Sequence, residues 1–262
     1  MSLYGLIGFP LQHTYSPALF REIFERNKKV AYRYEVIETP SIDHLKEIVV
    51  AHRLKGFNVT YPFKTAIIAQ LDALDETAEM VGAVNTVCVM NEGDSIFLKG
   101  YNTDTNGFEK LFRQVKKTFK ENEIRALILG TGGASRAVQH VLQKHDIEFC
   151  LVSRKPPKQH QIQYEMLSEY VMKKINLIIN TTPLGMHPNA DEFPPIPYEY
   201  LTKEHCLIDL IYNPETTEFL KRGIEKGCAT FNGMEMLRQQ AEAAYLIWTE
   251  KESKRRFHFS FW

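Results

Sequence analysis

At 262 residues, 44% hydrophobic and 24% charged, the chain is long enough for one large or two ordinary domains around a core that needs no staple. Its 32 basic residues balance 32 acidic ones, which excludes a global attraction to nucleic acid or to an anionic membrane. SLYGLIGFPL lacks the basic start and long apolar core of a secretion signal, and the apolar runs are short, so a cytoplasmic protein with no membrane partner is expected.

In chain order, LYGLIGFPL reads as a buried strand ending at Gly8 and Pro10. YSPALFREIFERN reads as a helix with Ser16 as cap, Pro17 as first helical residue, and Leu19, Phe20, Ile23 and Phe24 on one face. AYRYEVI alternates like a strand, residues 42–53 read as helix, and LKGFNVT as another strand. In NVTYPFK, Pro62 suits the first position of a helix capped by Thr60 or Tyr61. Lys64 then carries the wrong charge for a helix N-terminus, which suggests a use other than local stability. AVNTVCVMNEGDSIFLKGYNTD reads as a hairpin turning at NEGD.

From Asp104 the pattern restarts with helical TNGFEKLFRQVKKTF and the short apolar strand RALILG. IEFCLVSR, INLIINTT, HCLIDLIY and GCATFNG follow, and strands this apolar on both faces predict a parallel sheet covered by helices. The last helix, MEMLRQQAEAAYLIWTE, puts Leu237, Ala241, Ala244, Tyr245 and Trp248 on one stripe that either half could bury. The basic run after it reads as a solvated face. Cys88, Cys150, Cys206 and Cys228 are widely spaced with no CxxC pair, which predicts buried thiols and no metal site.

RALILGTGGASRAV sets Gly130, Gly132 and Gly133 between a strand and a helix, the arrangement that lets backbone N–H groups approach a pyrophosphate. The full GxGxxG is not present, since Ser135 holds its last glycine position. An NAD site needs an acidic residue at the end of the next strand, whereas this one ends in Ser153, Arg154 and Lys155 with Lys158 close behind. Glu148 lies too early. NADP is therefore the expected cofactor.

Lys64 and Asp104 each sit at the C-terminal end of an expected strand, where open α/β sheets collect ligands. Taken alone, the first reads as a surface lysine and the second as an N-cap. Together they form a candidate acid–base pair.

GLIGFPLQHTYSP, NVTYPFK, GAVNT, NTDTNG, LGTGGASRA, NTTPLGM, DLIYNPETTEFL and NGMEMLRQQAEAAYLIW, in this order over practically the whole chain, resemble the shikimate dehydrogenase family. The resemblance implies NADPH-dependent reduction of 3-dehydroshikimate to shikimate in the pathway to aromatic amino acids. It implies a two-domain α/β fold: an N-terminal substrate domain at 1–102, joined by 236–262, and a C-terminal Rossmann-like NADP domain at 103–235. These flank a cleft expected to close on cofactor. By position, Lys64 and Asp104 match the catalytic pair, and Thr14, Ser16, Thr60, Asn85, Tyr212 and Gln240 match the substrate contacts. Gly130, Gly132, Gly133, Ala134, Ser153, Arg154, Lys158, Asn180, Thr181 and Gly233 match the dinucleotide contacts. His13, His52 and His187 are not needed as acids.

Four positions depart from the family pattern. Thr14 replaces a serine and adds a methyl to the pocket, which raises the question of quinate as substrate. Ser153 and Lys155 replace an asparagine and a threonine around Arg154, and Thr131 stands where alanine is common. A quinate/shikimate dehydrogenase, another dehydrogenase of the methylene-tetrahydrofolate type, and a non-catalytic nucleotide-binding regulatory relative remain as alternatives. The sequence carries no signal for oligomeric state.

Overall fold

The computed structural model describes residues 2–11, 14–92, 95–119, 123–154 and 161–258. His13, Lys155, Lys158, the tip of NEGD and the side chains of the basic tail lie outside the described residues. Chain contacts form two compact units, Met1–Asn106 with Arg238–Trp262, and Gly107–Leu237.

The first unit runs β1 (Ser2–Gly8), α1 (Ser16–Arg26), β2 (Tyr32–Glu38), α2 (Leu45–Ala51), β3 (Leu54–Val59), β4 (Ala73–Leu74), α3 (Glu76–Val81), β5 (Thr86–Glu92) and β6 (Ser95–Tyr101). Its sheet has the order β2-β1-β3-β5-β6-β4. The first three strands are parallel, β5 is antiparallel to β3, and β5 and β6 form the hairpin. Successive residues point to opposite faces of a strand, so Val87 and Val89 join the layer with Phe57, Leu45 and Val49, while Cys88 joins the other. That second layer packs Tyr4, Phe20, Ile23 and Phe24 against Ala241, Ala244, Tyr245 and Trp248 of the long last helix. The Trp248 indole N–H donates to Val87 O at 3.0 Å. Trp248 lies so close to Gly56 that a Cβ there would collide with the ring.

Two local expectations are corrected. Ser16 is the first residue of α1 rather than its cap, because Leu19 N already finds Tyr15 O at 3.0 Å and so starts the helix one residue early. Lys64 does not open an α-helix. The chain turns through 61–65 into a 3₁₀ helix of five residues, Ala66–Gln70. The sheet then recaptures it: Asp72 N donates to Leu98 O, and the Asp72 carboxylate accepts from Leu98 N at 2.7 Å. The helix-dipole account of Lys64 therefore lapses.

The second unit begins within α4 (Asp104–Lys116), followed by β7 (Arg125–Leu129), α5 (Gly133–Lys144), β8 (Glu148–Val152), β9 (Gln161–Ile162), α6 (Glu169–Met172), β10 (Leu177–Asn180), β11 (Cys206–Asp209), α7 (Glu218–Glu225), β12 (Ala229–Phe231) and α8 (Met234–His258). All neighbours in the order β12-β11-β10-β7-β8-β9 pair in parallel. Both faces are covered: Ala126 and Ile128 enter one apolar layer, Leu127 and Leu129 the other. Continuous apolar strands are what a sheet buried on both sides demands. Leu237, assigned from sequence to the apolar stripe of α8, is only half-buried, and it falls in this unit with Met236.

All four cysteines are free thiols. Among the described residues no cluster of potential metal ligands occurs, and no helix is long and apolar enough to cross a membrane.

Candidate active site

The C-terminal ends of β3 and β6 lie on either side of β5 in the first unit, and the chain leaving them carries Lys64 and Asp104. Lys64 Nζ donates to Asp104 Oδ2 at 2.5 Å across 40 residues of sequence. The lysine side chain is 21% exposed and the aspartate 6%. Asp104 is the first residue of α4, yet its carboxylate does not cap the helix. Asn102 takes that task, accepting from Thr105 N at 3.2 Å. Asp104 is thereby left to face Lys64 and Asn85.

Asn85 Nδ2 is shared among Asp104 Oδ1 at 2.9 Å, Thr103 Oγ1 at 2.9 Å and Gln240 Oε1 at 3.3 Å. Its Oδ1 accepts from Thr103 N at 2.7 Å, which locks the amide orientation. Gln240 is buried and Gln239 only half so, which selects the second of the two adjacent glutamines on α8. Asn58, Thr86 and Thr103 belong to the same buried network and were not singled out from sequence. Asn58 Nδ2 donates to Asn85 O and Thr86 Oγ1, and Asn58 Oδ1 accepts from Tyr34 at 2.8 Å. A polar residue inside the apolar run GFNV was the available signal, since a buried amide demands partners.

The Thr14 and Ser16 hydroxyls lie 3.2 Å apart, with Thr14 also accepting from Ser16 N. Thr60 follows β3, where its N donates to Ile7 O and its methyl occupies the space a side chain on Gly8 would need. Tyr212 falls in the second unit, two residues beyond Leu210 in the loop after β11.

In the second unit the chain leaves β7 at Gly130, whose φ of +108° only glycine adopts readily. A Cβ at Gly130 would also lie 2.8 Å from Thr181 Oγ1, whereas at Gly132 it would meet nothing within 4 Å. Backbone at Gly132 is thus open to an incoming group at the start of α5, which includes Gly133 and Ala134. Ser135 fills the third glycine position by turning inward, its hydroxyl donating to Gly130 O at 2.8 Å. Ser153 is buried beyond β8 and Arg154 next to it is exposed. An open glycine backbone at a helix N-terminus, flanked by an exposed guanidinium at the end of the adjacent strand, fits a dinucleotide bearing a 2′-phosphate. Gly233 crosses Leu210 so closely that a side chain there would collide with the Leu210 carbonyl.

The side chain of Asn180 is fully buried and committed, so it shapes its loop rather than facing a ligand. It donates to Asp209 Oδ1 and Leu184 O, and accepts from Thr182 N and Oγ1. Thr181 donates to Leu129 O at 2.7 Å. Asp209, another residue the sequence reading missed, accepts from Thr217 Oγ1 at 2.6 Å, Ile211 N at 3.0 Å and Asn180 at 3.1 Å. Burial pushes its carboxyl up to about 6 from 3.8, with those hydrogen bonds opposing the rise.

Residues 6–87 match the model of the shikimate dehydrogenase substrate binding domain. A shikimate dehydrogenase (NADP(+)) of Methanococcus aeolicus is 37% identical, with 94% of this chain and 91% of that protein aligned. The structure of shikimate 5-dehydrogenase from Thermus thermophilus in complex with NADP(H) and shikimate superposes with a TM-score of 0.78 at 31% identity, covering 95% of this chain and 94% of that one. A quinate dehydrogenase from Corynebacterium glutamicum in complex with NAD gives 0.80 at 26% identity, covering 95% and 94%.

Proposed function

Because the chain belongs to the shikimate dehydrogenase family, NADP-dependent oxidoreductases of aromatic biosynthesis, we propose that it reduces 3-dehydroshikimate to shikimate with NADPH. The observation that carries this reading is the Lys64–Asp104 contact with Asn85 and Gln240 joined to it.

The cofactor, when bound, supplies the hydride. What the chain supplies is charge and a proton at the carbonyl oxygen. An ammonium has three N–H donors; one of those on Lys64 is directed at Asp104 and the side chain keeps partial exposure. Negative charge grows on the carbonyl oxygen as hydride arrives, so an ammonium beside it stabilises the transition state more than the ground state. Lys64 delivers the proton and Asp104 holds the ammonium in place, the two acting as one coupled unit in both directions. Asn85 and Gln240 address the ring hydroxyls, with Thr60 beside the lysine. The hydroxyls of Thr14, Ser16 and Tyr212 bind the substrate carboxylate. Gly130, Gly132, Gly133 and Ala134 receive the pyrophosphate, and Ser153, Arg154 and Lys158 the 2′-phosphate. Thr181 and Gly233, with Asn180 behind Thr181, border the remaining half of the cofactor.

The test is oxidation of shikimate with NADP followed by nicotinamide absorbance, with quinate and NAD as parallel arms. The highest kcat/KM is expected for shikimate with NADP. Comparable efficiency with quinate would assign the methyl of Thr14 a permissive rather than restrictive effect. No turnover in any arm would leave a nucleotide-binding regulatory role.

A further inference from the structure

Asp209 ends β11 fully buried, and its three hydrogen bonds reach three different segments. Through Asn180 it grips the loop after β10, where Asn180 fixes Leu184 and Thr182. Through Ile211 N it sets the loop after β11, and through Thr217 the first turn of α7, which Thr217 caps by accepting from Leu220 N. The segments also touch one another: a Cβ on Gly185 would lie 3.4 Å from Thr217 Cβ. No residue of this set has a role in the proton transfer assigned to Lys64 and Asp104.

Sheet order gives the network a direction. β7 stands between β8 and β10, so ligand atoms at the glycine turn meet β8 on one side and β10 with β11 on the other. Arg154 at the β8 end takes the phosphorylated ribose, which sends the other half of a dinucleotide across the ends of β10 and β11. Thr181 abuts Gly130 closely enough that a side chain at Gly130 would meet its hydroxyl. Resting on the dinucleotide reading above, we propose that Asp209 is a positioning residue for the nicotinamide half of the cofactor, acting through Asn180, Ile211 and Thr217 on the loops that border it.

The probes are NADPH and 2′,5′-ADP, which carries the 2′-phosphate half but no nicotinamide. Asp209→Asn keeps the shape while removing the charge and one acceptor. It is expected to raise the Kd of NADPH about tenfold while changing that of 2′,5′-ADP less than about twofold. Thr217→Val, which removes the hydroxyl from the same network, is expected to follow Asp209→Asn, and Thr217→Ser to restore the NADPH affinity. Equal loss for both probes, or no loss for either, overturns the proposal. A wild-type chain that binds NADPH while its variants bind it equally well overturns this inference alone, whereas a wild-type chain that binds neither probe overturns the cofactor reading with it.

Discussion

Asp104 divides its two carboxylate oxygens between Lys64 Nζ at 2.5 Å and Asn85 Nδ2 at 2.9 Å. A carboxylate held from two sides cannot swing away from the lysine. The ammonium is therefore aimed while one side of it stays accessible. Lys64→Ala is expected to lower kcat by about 10²- to 10⁴-fold, the range for a lost acid–base group, with a much smaller change in KM. Steady-state kinetics measure both, and near wild-type turnover would remove the lysine from the mechanism.

Asp104→Asn preserves shape and the partnership with Asn85 but removes the charge facing Lys64. Turnover falls in this variant as well. Since the pair acts as a unit, the Lys64→Ala, Asp104→Asn double variant is expected to sit close to Lys64→Ala alone rather than at the product of the two losses. Fully multiplicative effects in the kinetic cycle would mean that the two residues work independently.

Arg154 is exposed at the end of β8 with no acidic residue at the position an NAD ribose needs. Arg154→Ala is expected to reduce kcat/KM for NADP about 10- to 100-fold, the loss of one charge-assisted hydrogen bond, with little change for NAD. Equal losses for the two cofactors would place 2′-phosphate selection elsewhere.

For Asp209, burial raises the carboxyl from 3.8 to about 6. Between those values the folded chain holds a proton that the unfolded chain has released, so stability from this group is complete below about pH 4 and is lost as pH rises through about 6. The span corresponds to roughly 3 kcal/mol at about 1.36 kcal/mol per pKa unit. The Tm of the wild type relative to Asp209→Asn is expected to be higher at pH 4 than at pH 7.5. An unchanged difference would show that the buried carboxyl does not titrate in this window.

Trp248 is buried against Gly56 and Tyr4, with its N–H on Val87 O. Trp248→Ala is expected to cost about 3–5 kcal/mol in chemical denaturation. Gln240 lies about two turns away on the same helix, so the variant also raises KM for the ring substrate. A destabilised variant with unaltered KM would separate the anchoring of α8 from the site.

The apolar pattern was enough to specify the α/β class, because burial on both faces leaves a continuous signature in segments such as LIIN and CLID, every residue of which is buried. The glycine turn was legible for a related reason: a left-handed φ and the close approach of Thr181 at Gly130 restrict residue type locally. Lys64 stood out in sequence through a helix that does not exist; the short 3₁₀ helix Ala66–Gln70 follows it, and the sheet recaptures the chain at Asp72. Recruitment by an edge also makes the two-residue strands β4 and β9, which have no periodicity of their own to read. The motifs assigned Asn85 and Gln240, 155 residues apart, to one substrate site, but only the tertiary structure gave the hydrogen bond between them and made Asp209 the tie of three segments. Hydrogen bonds between distant residues impose no spacing on the chain, so the sequence determined which surfaces must be hidden, and the fold decided which polar groups meet.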